Sequence, residues 1–246
     1  MIDAIHQSSL NTILRCPEQF RRRYLEGEII PPGIAAGRGT GVHKANDVNL
    51  SQKIVSKIDL PVDDLKDAAR DGFVESFKNG IYLAKEEVAS KTKILNEGLN
   101  DTLRLTELYH SEVAPEIVPI EVEKEFLVQL DGVPLPIAGR MDIEQEAKVD
   151  DLKTATKSWS EGRINQEIQP IVYSLAHLQL TGTLPLFTYH ILVALKASTK
   201  RQIQSTHVSD KQIQALRFTL ITFCKALDAG VFLPANPAEW YCDEKW

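Results

Sequence analysis

Two short stretches put acids and a lysine where hydrolytic chemistry needs them. In KVDDLKTATK, residues 148–157, side chains of a strand alternate between its faces. Val149, Asp151 and Lys153 therefore share one face, and Asp150, Leu152 and Thr154 the other. Shortly before, GRMDIE places Asp142 in a preceding strand, and a hairpin between the two strands brings Asp142 and Asp151 together. Two carboxylates converging in a partly dry site repel, and a hard divalent cation relieves that repulsion. Magnesium needs only one or two protein carboxylates. A lysine beside them then orients or deprotonates the attacking water and meets charge developing on a phosphate. On this reading Asp151 is the ligand and Asp150 a bystander, so Asp150→Asn is expected to be nearly silent. The competing reading is a surface Asp–Lys ladder, which is common on strands.

Further residues bear on that choice. His43 follows the glycine-rich GRGTG and opens an expected helix near Thr40, and imidazole is a competent metal ligand. Gln169 and Tyr173 are four residues apart and so lie on one face of the helix after DLK. Their plainer reading is a helix flank with one aromatic in the core. A glycine-rich turn before a helix can bind phosphate through free N–H groups, but GRGTG lacks the lysine of a P-loop. In LRCPEQFRRRYL, Cys16 precedes a proline, and its plainer reading is a small buried residue beside a helix break.

Around these residues the chain supplies positioning elements. SSLNTILRCPEQFRRRYLEG reads as a short helix capped at Ser8 or Ser9, a break at Pro17, and a second helix. Residues 62–113 keep helical periodicity, and residues 50–115 are expected to form a helical insertion in one domain spanning 1–246. From Val118 the pattern alternates as in a half-buried strand, DGV signals a hairpin, and PLPIAGRMDIEQ and KVDDLKT give two more strands. INQEIQPIVYSLAHLQLTG reads as an amphipathic helix stopped by Gly182, LFTYHILVAL as a buried strand, and DKQIQALRFTLITFCKALDAG as a final helix. The order is helix, three strands, helix, strand. This is an α/β fold in which helices flank a central mixed sheet.

Composition narrows the class. Of 246 residues, 43% are hydrophobic and 25% charged, as in an ordinary globular protein. No apolar run reaches transmembrane length, and MIDAIHQSSL has no basic or apolar leader, so a cytoplasmic protein without membrane partners is expected. Three cysteines, Cys16, Cys224 and Cys242, cannot all pair, which argues against a disulfide scaffold. The net charge of −6 excludes a uniformly basic surface but leaves room for a local basic track. RRRYL (Arg21, Arg22, Arg23) and KASTKR (Lys196, Lys200, Arg201) are the candidates, and either also reads as a solvated face.

Taken together, SSLNTILRCPEQF, GTGVH, GRMDIE, VDDLKT, QPIVY and FLPANPAEWYC occur in family order. They resemble the RecB-type branch of the PD-(D/E)xK nucleases, which includes CRISPR-associated RecB-like exonucleases. The resemblance covers both ends of the chain and leaves about 50–115 unmatched. It implies a restriction-endonuclease-like core in which His43, Asp142, Asp151 and the carbonyl of Leu152 hold Mg²⁺ or Mn²⁺. It also implies that Lys153 is the catalytic lysine, with Gln169 and Tyr173 beside the site and the DNA. Met141 stands where the pattern often has proline. Many relatives carry a [4Fe–4S] cluster on one N-terminal and three C-terminal cysteines. Cys16 and Cys242 fit two of those places, but two thiolates cannot hold such a cluster by themselves. The implied activity is exonucleolytic hydrolysis of single-stranded DNA or DNA ends, with DNA and a helicase or recombination protein as partners. A non-catalytic nucleic-acid-binding module and a phosphatase or nucleotide hydrolase built on GRGTG are the alternatives. Intact Asp142, Asp151 and Lys153 argue against the first, and the missing P-loop lysine against the second.

Overall fold

A computed structural model describes residues 2–236 and 238. Six strands form one mixed sheet: β1 (Ile5–His6), β2 (Glu121–Val128), β3 (Ile137–Gln145), β4 (Lys148–Ala155), β5 (Leu186–Ala194) and β6 (Thr199–His207). β2, β3 and β4 run as an antiparallel meander. β5 then returns parallel to β4, and β6 pairs antiparallel with β5 at the edge. The β4–β5 connection has to be a crossover because parallel neighbours cannot be joined by a tight turn. Among the described residues, no helix is long and apolar enough to cross a membrane.

Helices cover both faces. On one side, α1 (Gln7–Arg15), α2 (Pro17–Phe20), α6 (Gln169–Thr181) and α7 (Asp210–Asp228) pack Leu10, Phe20, Val172 and Leu220 against Phe187, Tyr189 and Ile191 of the sheet. On the other, α3 (Ile34–Ser56), α4 (Val62–Glu75) and α5 (Lys91–Leu108) pack Val42, Leu65 and Leu105 against Ile143, Leu152 and Leu192. Each fully buried aliphatic or aromatic side chain contributes about 1.5–3 kcal/mol relative to exposure. The two cores together fix the orientation of β4, whose alternate residues serve one core each.

Several expectations are corrected. The helix bearing GRGTG begins at Ile34, so this segment is helix interior and offers no anion-binding turn. Its glycines serve packing: a Cβ on Gly41 would lie 2.6 Å from the Ala69 carbonyl oxygen and from Thr102 Cγ2, so α3 crosses α4 and α5 only without it. The first helix is capped by His6 rather than Ser8 or Ser9, and Ser9 Oγ donates to the His6 carbonyl at 2.8 Å. α6 starts at Gln169, and Arg163–Gln166 form a separate 3₁₀ turn. Pro170 explains this, because it has no N–H to donate to Gln166 and its ring would clash there. β1 and β6 carried too little apolar alternation to be read as strands. β6 is a polar edge strand that alternates between half-buried and exposed residues.

Candidate active site

The site begins with a fork in the sheet. β3 pairs with β2 from Ile137 to Glu144. Along its other edge it pairs with β1 only at Ile137 and Ala138, and with β4 only from Ile143 to Gln145. Residues 139–142 between these are left without a partner on that edge. The Ile143↔Asp150 register carries Asp142 and Asp151 to facing positions where the strands part. The expected convergence of the two acids is therefore built by the backbone.

Around the fork, charged and polar groups close in. Asp151 is fully buried, with its Oδ1 2.5 Å from Lys153 Nζ. Its Oδ2 accepts a 2.5 Å hydrogen bond from Gln169 Nε2, at the start of α6. Asp142 Oδ2 lies 3.3 Å from His43 Nδ1, delivered by α3. The Leu152 carbonyl is within hydrogen-bonding reach of the His43 ring. Tyr173, one turn beyond Gln169, is buried between Phe126 and Phe187 and lines the same cleft as Asp142. Gln169, Tyr173, His43, Asp142, Asp151, Leu152 and Lys153 are thus brought together.

Glu123 was missed. It lies on β2 between the registered pairs Val122↔Ile143 and Lys124↔Met141, across from Asp142. One carboxylate oxygen each from Glu123 and Asp142 and one His43 nitrogen lie within 4.8 Å of one another. Arg140 Nε holds Glu123 Oε2 at 2.6 Å. The backbone of Glu123 has φ 53°, a left-handed value that costs a non-glycine residue about 1–2 kcal/mol. Strain of that kind persists only where surrounding structure imposes it. In EVEKEF a glutamate in an alternating strand gave no sign of this turn of the backbone.

Electrostatics match a cation site. Burial, and then the Asp151 charge, push the Asp142 carboxyl well above the usual range, opposed by Lys153. Burial also raises Glu123, with Arg140 opposing. Burial lowers His43, which keeps the imidazole neutral and able to donate a lone pair. Neither Asp142 Oδ2 nor Asp151 Oδ1 accepts a hydrogen bond of proper geometry, although His43 and Lys153 stand near them. Asp151 Oδ1 already has the Lys153 ammonium beside it, whereas a buried carboxylate oxygen such as Asp142 Oδ2 is costly unless a cation meets it. Oxygen and imidazole donors from His43, Glu123 and Asp142, with Asp151 facing Asp142 across the fork, are of the kind a hard divalent metal ion takes.

Other sequence candidates lie elsewhere. Asp150 points away from the fork, to the face that strand alternation assigns it, and there it belongs to a network of its own. It is fully buried, with Lys148 Nζ 2.8 Å and His190 Nε2 3.3 Å from its Oδ1, and Gln145 donates to its Oδ2. Arg21 and Arg22 pair with Glu18, and Arg201 pairs with Glu116, so these basic groups are spent on ion pairs. Cys16 is buried, and its Sγ accepts from Gln19 N and Ala235 N. Cys224 is buried in α7, and Cys242 lies outside the described residues.

The fork forms the floor of an open cleft of about 1430 Å³. Its walls are α3 (Thr40, His43, Lys44), the start of α1 (Gln7, Ser8) and β2–β3 (Phe126, Arg140). This exceeds the roughly 300–1,000 Å³ of small-molecule sites and suits a section of polymer. A family model described as the PD-(D/E)XK nuclease superfamily matches residues 5–244. The chain belongs to that superfamily. The fork, with Asp142, Asp151 and Lys153 around it, lies within the matched residues.

Among solved structures, that of a protein named "Putative exonuclease" from Eubacterium rectale is similar, with a TM-score of 0.63 and 13% identity. The match covers 98% of this chain and 87% of that one, and at such identity it shows the fold alone. The structure of SSO0001 aligns over 81% of this chain and 88% of its own at 17% identity, with a TM-score of 0.32 that carries no argument. No curated protein matches the chain. For this PD-(D/E)XK nuclease the structure adds Glu123 to the residues read from sequence, with a carboxylate oxygen within 4.8 Å of Asp142 and His43.

Proposed function

We propose that this PD-(D/E)XK nuclease is a deoxyribonuclease dependent on Mg²⁺ or Mn²⁺, acting as an exonuclease on single strands or DNA ends. The observation that carries the reading is the convergence of two buried carboxylates beside Lys153: Asp142, which lines the open cleft and has an oxygen without a hydrogen-bond donor, and Asp151 directly behind it. His43, Glu123, Asp142, Asp151 and the Leu152 carbonyl would hold the ion. A bound divalent cation polarises a phosphoryl oxygen and lowers the pKa of water.

Within that site the chain's own groups have separable tasks. Lys153 Nζ holds a proton at the attacking oxygen and meets charge developing on the phosphate. Gln169 fixes the orientation of Asp151, and Tyr173 closes the wall beside Asp142. Lys44 and Arg140 line the cleft and, although paired with Asp47 and Glu123, bring positive charge to the path of a polyanion backbone.

The exonuclease mode is supported by the motif order shared with the RecB-type branch and by the name of the Eubacterium rectale neighbour. On the same reading the chain is one nuclease domain with residues 50–115 as a helical insertion, working in the cytoplasm with a helicase or recombination protein. The test is incubation of end-labelled single-stranded, duplex and circular DNA with and without Mn²⁺. Stepwise shortening of linear strands only, abolished in Asp151→Asn, is expected. Absence of metal-dependent cleavage on every substrate would overturn the nuclease reading, and nicking of circles the exonuclease mode.

A further inference from the structure

Tyr189 stands opposite Asp151 in the parallel β4–β5 register and projects from the same face of the sheet. Its hydroxyl donates to Gln169 Oε1 at 3.2 Å, and Gln169 Nε2 in turn donates to Asp151 Oδ2. Lys153 Nζ lies over the same ring, 5.2 Å from its centroid. One fully buried side chain therefore touches both groups that flank the Asp151 carboxylate. Sequence patterning cannot single it out, since a tyrosine in LFTYHILVAL reads simply as core.

We propose that Tyr189 is a positioning residue for the metal site, acting through Gln169 on Asp151 and through its ring on Lys153. The proposal rests on the nuclease reading of that site. A carboxamide can turn either end toward a neighbour, and only the nitrogen end is welcome at a carboxylate. The phenol is a donor toward Gln169, so it engages the amide oxygen and leaves the nitrogen for Asp151. Without the hydroxyl, the amide is free to turn its oxygen to Asp151 Oδ2, and the carboxylate loses its fixed orientation.

The ring acts on the second partner. A cation over an aromatic face is held by about 0.5–1 kcal/mol when exposed and more when desolvated. This restrains the Lys153 ammonium beside Asp151. The ring is itself wedged, with Phe187 at 4.9 Å and Trp159 at 5.3 Å, both edge-on. Trp159 belongs to the loop from β4 to α6, which Gln202 and Gln204 of β6 fasten by side-chain bonds. Gln202 Oε1 accepts from Trp159 N, and its Nε2 donates to Trp159 O. Gln204 does the same for Ile164 N and Ser160 O. The edge strand thereby clamps the loop, the loop wedges the ring, and the ring sets the two groups beside Asp151.

A double-mutant cycle separates positioning from packing. Tyr189→Phe, Gln169→Ala and the double variant are compared by Mn²⁺ affinity in calorimetry, by thermal melting and by cleavage rate at saturating DNA. Residues that support a metal ligand cost roughly 10–100-fold when removed. Tyr189→Phe should weaken Mn²⁺ binding about tenfold, with melting unchanged and kcat lowered at constant KM. The double variant should be no weaker than Gln169→Ala, because the hydroxyl acts only through that amide. Unchanged Mn²⁺ affinity in Tyr189→Phe, or losses that multiply in the double variant, would overturn the proposal. So would a fall in melting temperature that accounts for the affinity loss, since Tyr189 would then be core alone. Wild-type protein that binds Mn²⁺ but cuts no DNA counts against the nuclease reading, while the affinity cycle still decides the role of Tyr189.

Discussion

Asp150 and Asp151 are adjacent, both fully buried, and committed to opposite faces of one sheet. Asp151 meets Lys153 and Gln169 on the face of α6. Asp150 meets Lys148, His190 and Gln145 on the face of the α3–α5 layer. His190 Nδ1 lies 3.0 Å from Arg201 Nη2, and Arg201 reaches Glu116, where the helical segment ends. One carboxylate thus faces the proposed metal site, and the other ties the sheet to the helices above it.

That division gives a first pair of expectations. Asp151→Asn keeps the shape but removes the charge that holds a cation, so cleavage should fall by orders of magnitude with little change in melting. Asp150→Ala leaves Lys148 and His190 without their shared acceptor. Leaving a buried polar group without its hydrogen-bond partner costs about 1–3 kcal/mol. Denaturant titration should show this loss of stability, while folded Asp150→Ala should still bind Mn²⁺. Stability equal to wild type would mean the network contributes nothing net.

Lys153 separates binding from turnover. It touches Asp151 yet supplies no metal ligand, so Lys153→Ala should retain Mn²⁺ affinity in calorimetry. Cleavage should drop by about 10²–10⁴, the usual contribution of a positioned proton-transfer group. Loss of affinity matching the loss of rate would show instead that the lysine merely balances charge.

The sequence made most of this site legible, for a definite reason. A strand's period of two assigns Asp151 and Lys153 to one face without any structure, and short hairpin spacing brings Asp142 to them. Helical spacing did the same for Gln169 and Tyr173. Glu123 escaped because its left-handed backbone breaks the alternation on which that logic depends. GRGTG was misread because glycine permits a turn but also permits close helix packing, and only tertiary contacts decide between them. The partners of Asp150 stayed hidden because alternation tells which face a side chain takes and nothing about what waits there.

Glu123 allows a test in which stability and function move in opposite directions. Glycine adopts φ near 53° without the steric cost, so Glu123→Gly should gain about 1 kcal/mol from relief of strain. The entropy of the unfolded glycine offsets part of that gain. The same change removes a carboxylate from the metal position, and Mn²⁺ affinity should fall by at least about tenfold. Glu123→Gln should lose affinity without gaining stability. A destabilised Glu123→Gly would mean that the Glu123–Arg140 pair, and not the metal position, justifies the strained backbone.

The raised carboxyl of Asp142 fixes the sign of a pH effect in metal-free protein. A group whose pKa is higher in the folded chain binds more protons folded than unfolded, so its contribution is full below the unfolded value of about 3.9 and is lost as pH rises through the folded value. Glu123 acts in the same direction, and the lowered His43 acts oppositely below about 6.5. Subtracting Asp142→Asn from wild type isolates the aspartate: the asparagine variant should be relatively more stable at neutral pH than in acid. Saturating Mn²⁺ should reverse this ranking at neutral pH, because the ion binds the folded wild type and adds about 2.7 kcal/mol at a hundred times Kd. The measurement is a set of thermal melts across pH with EDTA or Mn²⁺. A wild type that melts above Asp142→Asn at neutral pH in EDTA would mean that Asp142 is already satisfied by its protein neighbours, and the argument for a cation at the fork would lose its electrostatic basis.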